Sequence, residues 1–325
     1  MPCRLENVTM TYGKATVLNS VTMQLPEQGI MALAGPNGAG KSTLIKILAG
    51  ILKPVKGKII NPGGHLTVGY MPESCNWIPQ MTGLQFLNHI KKFKKNVRDE
   101  HIGELLQQLN LKDQQHKKIR NYSKGMKQRL GLIQALLGQP DLLILDEPTN
   151  GLDPEGIQDF YKVLTSYAEM GHTILLSSHL LAEIEGHVSH IAFIKDGVLL
   201  ASGSRDELLK NADLPVSVTF HLRSGHQDTQ MQECSRLIQK LETQGARCLL
   251  VNDALQVTSP PAELKGVISF VPAFDALILD VEIARPGLNE LYALSCARVF
   301  ADKVATGNAQ TDQKTNQSQA FSLTA

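Results

Sequence analysis

Apolar and polar residues alternate through residues 4–10 and again through 17–25, the period-two pattern of half-buried strands. Residues 30–34 are apolar throughout and predict a buried strand, after which Leu44, Ile45, Ile47 and Leu48 recur at helical spacing. Shorter strand-like pieces follow at 58–60 and 65–70, and then the period lengthens. From Thr82 to Gly138, Leu84, Leu87 and Ile90, then Ile102, Leu105, Leu106 and Leu109, lie three and four apart, which predicts a helical insertion. Strand character returns at 142–145, a short, wholly apolar run of the kind buried on both faces in a parallel sheet. Pro154 starts a helix running to about Met170, and 173–177 reads as another buried strand. His187 and His190, three apart, read as a pair on a helix. Asp196 and Gly197 have the residue types of a tight two-residue hairpin turn.

Near Asn211 this alternation ends. Residues 216–222 read as a strand, 233–243 as a helix, and 247–251 and 276–283 as further strands; Arg285-Pro286 predicts a last helix opening at the proline. Together these predict a small α+β accessory domain over 211–303. From 304 to 325 Gly, Asn, Gln, Thr, Ser and Lys dominate, which predicts a disordered tail.

Composition narrows the picture only at its edges. The chain has 325 residues, enough for about two domains, and 42% hydrophobic residues, enough for real cores. Its formal net charge of +1 carries no basic excess, so nucleic acid is not expected as a partner. The lysine-rich run at 91–95 reads as a solvated face. Five scattered cysteines without a C-x-x-C pair point to reduced thiols. No apolar run approaches the ~20 residues of a membrane helix. Work at a membrane would therefore need another chain to hold this one there.

Chemistry enters at Gly35-Pro36-Asn37-Gly38-Ala39-Gly40-Lys41-Ser42-Thr43, between the strand at 30–34 and the helix that follows. Glycines let such a loop curl until successive N–H groups face phosphate oxygens. Lys41 would reach the β- and γ-phosphates, Ser42 would offer its hydroxyl to Mg²⁺, and the helix N-terminus adds partial positive charge. A second constellation closes the apolar strand at 142–145 with Asp146 and Glu147. That placement delivers two carboxylates to the carboxyl edge of a parallel sheet, where open α/β folds bind ligands. Asp146 suits the Mg²⁺ shell, and Glu147 suits polarising the water that attacks a γ-phosphate.

Seven features then occur in one order: Tyr12, the phosphate loop, Tyr70-Met71-Pro72-Glu73, Ser123-Lys124-Gly125, the acidic strand, Gly151-Leu152-Asp153 and Ser178-His179. This order resembles the ATP-binding subunits of ABC transporters over about the first 210 residues. The resemblance implies a P-loop ABC ATPase domain at 1–210, α/β in class, with a RecA-like parallel sheet core, an antiparallel β subdomain and a helical subdomain at about 82–138. It implies ATP and Mg²⁺ as cofactors. Lys41, Glu147 and His179 would be catalytic, His179 as the switch histidine that meets γ-phosphate. Tyr12 would stack on adenine, residues 35–43 would cradle phosphates, and Ser42, Asp146 and Glu73 would serve the metal. Glu73 stands where glutamine is usual, and Lys124 and Met126 where glycine and glutamine are. Ser123, Gly125 and Asp153 would act across a head-to-tail homodimer, on the ATP held by the other copy.

The Glu73 segment, the Ser-Lys-Gly-Met signature and the Arg-Pro-x-Leu-x-Glu-Leu stretch at 285–291 are similar to ATPases of the ABC-2 exporter type. Among these the chain most resembles NosF-like subunits, which energise maturation of the copper sites of nitrous-oxide reductase. That similarity rests on residues 69–73, 79–83, 122–137 and 203–216. It implies an ABC-2 permease as partner, a periplasmic copper-maturation protein reached through it, and a peripheral position on the cytoplasmic face of the inner membrane. ATPases of other ABC-2 exporters, for drugs, polysaccharides or lipids, and a non-transport regulatory ABC ATPase remain alternatives.

Overall fold

The computed structural model describes residues 3–64, 66–94, 97–223 and 227–299; the tail expected from 304 lies outside them. The chain divides into two compact units, Met1–Arg205 and Asp206–Ala325.

The first unit begins with β1 (Arg4–Tyr12) and β2 (Ala15–Gln24), followed by β3 (Gly29–Ala34), α1 (Lys41–Leu48), β4 (Lys56–Ile60) and β5 (Val68–Met71). Three helices come next: α2 (Gly83–Lys91), α3 (Asp99–Gln108) and α4 (Lys124–Leu136). Then β6 (Leu142–Leu145), α5 (Pro154–Glu169), β7 (Thr173–Ser178), α6 (Leu181–Ile184) and the hairpin β8 (His190–Lys195) to β9 (Val198–Ser204) complete it.

Strands β2-β1-β4 form an antiparallel sheet whose alternating side chains bury Leu5, Val8, Leu18 and Val21. Six strands, ordered β5-β6-β7-β3-β8-β9, form the second sheet, parallel except for β9. Every residue of β6 and of β7 is buried, which is why β6 is wholly apolar and β7 carries the unbroken run Ile174-Leu175-Leu176 instead of alternation. The turn from β8 to β9 puts Asp196 and Gly197 at φ +51° and +74°, the left-handed pair that a two-residue hairpin requires.

The helices start where their sequences can satisfy a free end. Thr82 and Gln85 form a reciprocal capping box on α2. Ser123 caps α4 and Asp153 caps α5, with Pro154 in the first turn.

The second unit holds α7 (Arg205–Ala212, whose first residue belongs to the first unit), β10 (Val216–Leu222), α8 (Gln227–Thr243), β11 (Arg247–Val251), β12 (Ala254–Ser259), α9 (Leu264–Ser269), β13 (Ile278–Ala284) and a helix over 288–299. Its antiparallel sheet is ordered β11-β12-β10-β13. One sheet face packs on helices through Val218, Phe220, Leu255 and Val257, which meet Cys234, Leu237 and Leu241, spaced three and four along α8.

Two sequence expectations are corrected here. His187 lies in a turn and His190 opens β8, so they are not a helical pair; the His187 ring stacks on Tyr161 at 3.9 Å between centroids. The last helix begins at Leu288, not at Pro286, because the Gly287 N–H donates to Glu290 Oε2 at 2.8 Å and makes Gly287 the cap. Tyr12 is the final residue of β1.

Phe220 is fully buried at the centre of the second unit's core. Phe220→Ala is expected to lower that unit's unfolding free energy by about 3–5 kcal/mol. Urea titration of the full chain checks this, and a shift below about 1 kcal/mol would contradict the assigned core.

Candidate active site

The site is built on three strand ends. After β3 the chain enters the loop at 35–40, which runs so close to β8 that a Cβ on Gly35 would lie 2.1 Å from the Ile194 carbonyl oxygen. Gly40 takes φ +102°, a conformation that favours glycine, and turns the chain into α1. No side chain caps α1 and no acid stands in its first turn. Its leading N–H groups are therefore directed at the cleft with their partial positive charge available to an anion.

Lys41 is 94% buried by its own loop. Its Nζ donates to the carbonyls of Gly35 at 2.8 Å and Pro36 at 3.2 Å, and lies 3.3 Å from Glu147 Oε1. That last contact has ion-pair distance without hydrogen-bond geometry: Glu147 Oε1 is a buried acceptor that receives no hydrogen bond.

Asp146 and Glu147 are neighbours in sequence but face different partners. One oxygen of Asp146, Oδ1, accepts from Ser177 Oγ at 2.7 Å and from Ser42 Oγ at 3.3 Å. The same Ser177 Oγ accepts from the Glu147 N–H at 2.8 Å. Glu147 itself sits at φ +47°, a conformation uncommon for a residue with a Cβ. That left-handed turn redirects the chain after β6. Glu147 Oε2 then lies 2.8 Å from His179 Nδ1, just beyond β7.

These groups border a cleft of about 380 Å³, lined by residues 37–43 together with Val17, Glu73, Glu147, Asn150 and His179. Beside it, the Tyr70 hydroxyl is buried without a hydrogen bond. Burial first, and the charge of Asp146 second, push its pKa up to about 12, so it stays neutral.

The expected site residues thus fall into two groups. The phosphate loop, Glu73, Glu147 and His179 border one cleft, and Asp146 joins it through Ser42. Tyr12, Ser123, Gly125 and Asp153 do not line it. Tyr12 is 49% exposed at the end of β1. Ser123 Oγ accepts from the Met126 N–H at 3.1 Å, and Asp153 Oδ1 accepts from the Gly156 N–H at 3.0 Å, each starting a helix. Gly125 packs on the loop that leads into α5, since a Cβ there would lie 3.3 Å from the Gly151 carbonyl oxygen. The Gln128 side chain, one turn along α4, donates to the Asn150 carbonyl at 3.2 Å and ties this region to a residue of the cleft wall.

Sequence reasoning missed Ser177, Asn150 and Val17. For Ser177 a signal existed: paired serines ending a fully buried strand need partners for their hydroxyls. Asn150 and Val17 gave none, since their place depends on how the chain folds back.

Comparison with known proteins gives the family. A family model described as ABC transporter matches residues 18–150. The uncharacterized ABC transporter ATP-binding protein YdbJ of Bacillus subtilis (strain 168) is 39% identical over 210 residues, 62% of this chain and 68% of that protein. The lantibiotic transport ATP-binding protein SrtF of Streptococcus pyogenes is 38% identical over 211 residues, 62% of this chain and 91% of that protein. A solved structure of the ATP-binding subunit of an ABC transporter superposes with a TM-score of 0.60 at 28% identity, over 65% of this chain and 93% of the other. With YdbJ and SrtF more than 30% identical and matched over two thirds or more of their own length, the chain belongs to the ABC transporter ATP-binding proteins and is an ATPase.

Proposed function

We propose that this chain is the ATP-hydrolysing subunit of an ABC-2 type exporter, working as a head-to-tail pair of copies beneath a membrane-spanning permease. The observation that carries the reading is the split of the expected site residues. One cleft gathers the phosphate loop, Glu147 and His179, while Ser123, Gly125 and Asp153 lie outside it. A second copy turned head to tail would bring its Ser123 and the start of its α4 over this cleft.

Within the cleft, residues 38–42 and the start of α1 would bind the triphosphate. Lys41 Nζ would move its donors from the Gly35 and Pro36 carbonyls to phosphate oxygens. Ser42 and Asp146, already hydrogen-bonded, would hold Mg²⁺, with Glu73 at the cleft wall as a further oxygen donor. When bound, Mg²⁺ supplies charge neutralisation for the phosphates as the terminal bond breaks. Glu147 Oε1, an acceptor without a hydrogen bond, is placed to take the proton of an attacking water. His179 fixes that carboxylate through Oε2. Tyr12 would stack on the adenine.

Among the described residues no helix is long and apolar enough to cross a membrane. The proposed location is therefore peripheral, on the cytoplasmic face, held by the permease. Within the exporter class, the segments at 69–73, 79–83, 122–137 and 203–216 support the Nos-type role in copper-site maturation. The name of SrtF, a lantibiotic transport protein, supports export of such a peptide as a second reading.

Glu147→Gln should keep ATP bound, lengthen the life of the paired state and slow hydrolysis by roughly 10²-fold or more. Lys41→Ala should weaken nucleotide binding and hydrolysis together. Steady-state turnover with nucleotide titration tests both; unchanged turnover in the first, or unchanged affinity in the second, removes the assigned role. Ser177→Ala deprives Asp146 of a donor and the Glu147 N–H of its acceptor, and should lower kcat by about tenfold to a hundredfold, the range for a hydrogen bond to a charged group. A kcat within twofold of the parent would contradict that positioning role. Affinity capture from detergent-solubilised membranes should retain a permease with a nitrous-oxide reductase assembly protein. A permease arriving with peptide-export components would select the second reading, and recovery without any membrane chain would contradict both.

A further inference from the structure

The sheet of the second unit ends in two edges of opposite character. β13, at one edge, carries Asp280 and Glu282 exposed. If it paired antiparallel with its own copy about Val281, Asp280 would face the second copy's Glu282, and like charges directly opposite repel. A comparable guard stands in the first unit, where the edge strand β4 carries exposed Lys56 and Lys58.

β11, at the other edge, carries a single exposed charge, Arg247, at its first position and no other such device. Its ladder with β12 runs without a register shift, it holds neither proline nor acid, and Leu249, Leu250 and Val251 are 61%, 47% and 41% exposed. The hairpin to β12 turns through Asn252 and Asp253, so Val251 and Ala254 form its closing pair. A closing pair of a two-residue hairpin exchanges both ladder hydrogen bonds. Alternation from that point turns the N–H and C=O of Leu250 and Cys248 away from β12, toward the edge that no described strand pairs with.

We propose that β11 is a self-pairing edge, joining two copies antiparallel about a two-fold axis at Leu249 so that two four-stranded sheets become one of eight strands. The register follows from the geometry. With Leu249 opposite its own copy, Cys248 faces the second copy's Leu250. Both such pairs consist of the residues whose backbone groups point outward, so each pair closes both ladder hydrogen bonds. Arg247 comes opposite the second copy's Val251 and diagonal to its Asp253, an opposite charge within reach of a long side chain. Arg247 and Asp253 are both exposed in the single chain. Pairing also covers the three exposed apolar side chains of β11. Growth stops at two copies, because the outer edges of the joined sheet are the acidic β13 strands. This contact needs no nucleotide and is separate from the ATP-dependent pairing proposed above.

The test uses the full chain. Sedimentation without nucleotide should show a dimer, and Leu249→Lys, a change at an exposed position, should raise its dissociation constant at least about tenfold by setting two ammonium groups across the axis. In a Glu147→Gln background that Leu249→Lys chain should still dimerise with ATP, which separates failure of this contact from failure of the head-to-tail reading. Leu249→Cys should form a disulfide-linked dimer on mild oxidation, since non-hydrogen-bonded partners bring Cα atoms to about 4.5 Å. Arg247→Cys, opposite Val251, should not. The native Cys248 thiol, pushed up to about 11 chiefly by burial, gives little background. A monomeric parent without nucleotide, or equal cross-linking of the two cysteine variants, would overturn the proposal.

Discussion

Register in a buried parallel ladder is the constraint on which the site depends. Leu145 pairs with Leu176, and Leu176 with Ala32, so β6, β7 and β3 run out together at one edge of the sheet. The residues that follow them are Asp146 and Glu147, His179, and the loop from Gly35. No one of these segments makes a site. Shifting any strand by one residue would move its hydroxyl or carboxylate to the opposite face. The apolar runs that hold this register therefore fix the chemistry as firmly as the polar residues themselves.

Charge is balanced inside the same edge. Lys41 and Glu147 lie at ion-pair distance in a largely buried setting, where an unpaired charge is costly, and the more exposed His179 reaches the other oxygen of Glu147. Removing one partner leaves another buried without compensation. The single oxygen Asp146 Oδ1 meets two hydroxyls, and the Ser177 Oγ that donates to it also accepts from the neighbouring glutamate's N–H. Two adjacent carboxylates are thus turned to different partners by one buried serine and one left-handed residue.

Much of this was legible in sequence where local order and chemistry coincide. Residues 35–43 and the apolar run ending in Asp146 and Glu147 announce both conformation and placement. What was not legible depends on distant partners. Strand β12 contributes only Leu255 and Val257 to the core, too few apolar residues to show a period. His187 is placed by stacking on Tyr161, which lies 26 residues away and on another element. Pro286 signals a helix start, but the glycine after it supplies the N–H that Glu290 caps. The paired serines ending β7 signal a need for partners, but that Ser177 meets Asp146 and Glu147 shows only once β6 lies beside β7.

The proposed pairing asks that Lys41 of one copy and Ser123 of the other act on one ATP. Complementation tests this most directly: a Lys41→Ala chain and a Ser123→Arg chain, each inactive alone, are mixed in equal amounts and assayed for hydrolysis. Random pairing makes about half of all pairs mixed, each with one intact site, so the account predicts recovery of about a quarter of the parent's sites. A mixture no more active than its separate components would contradict it.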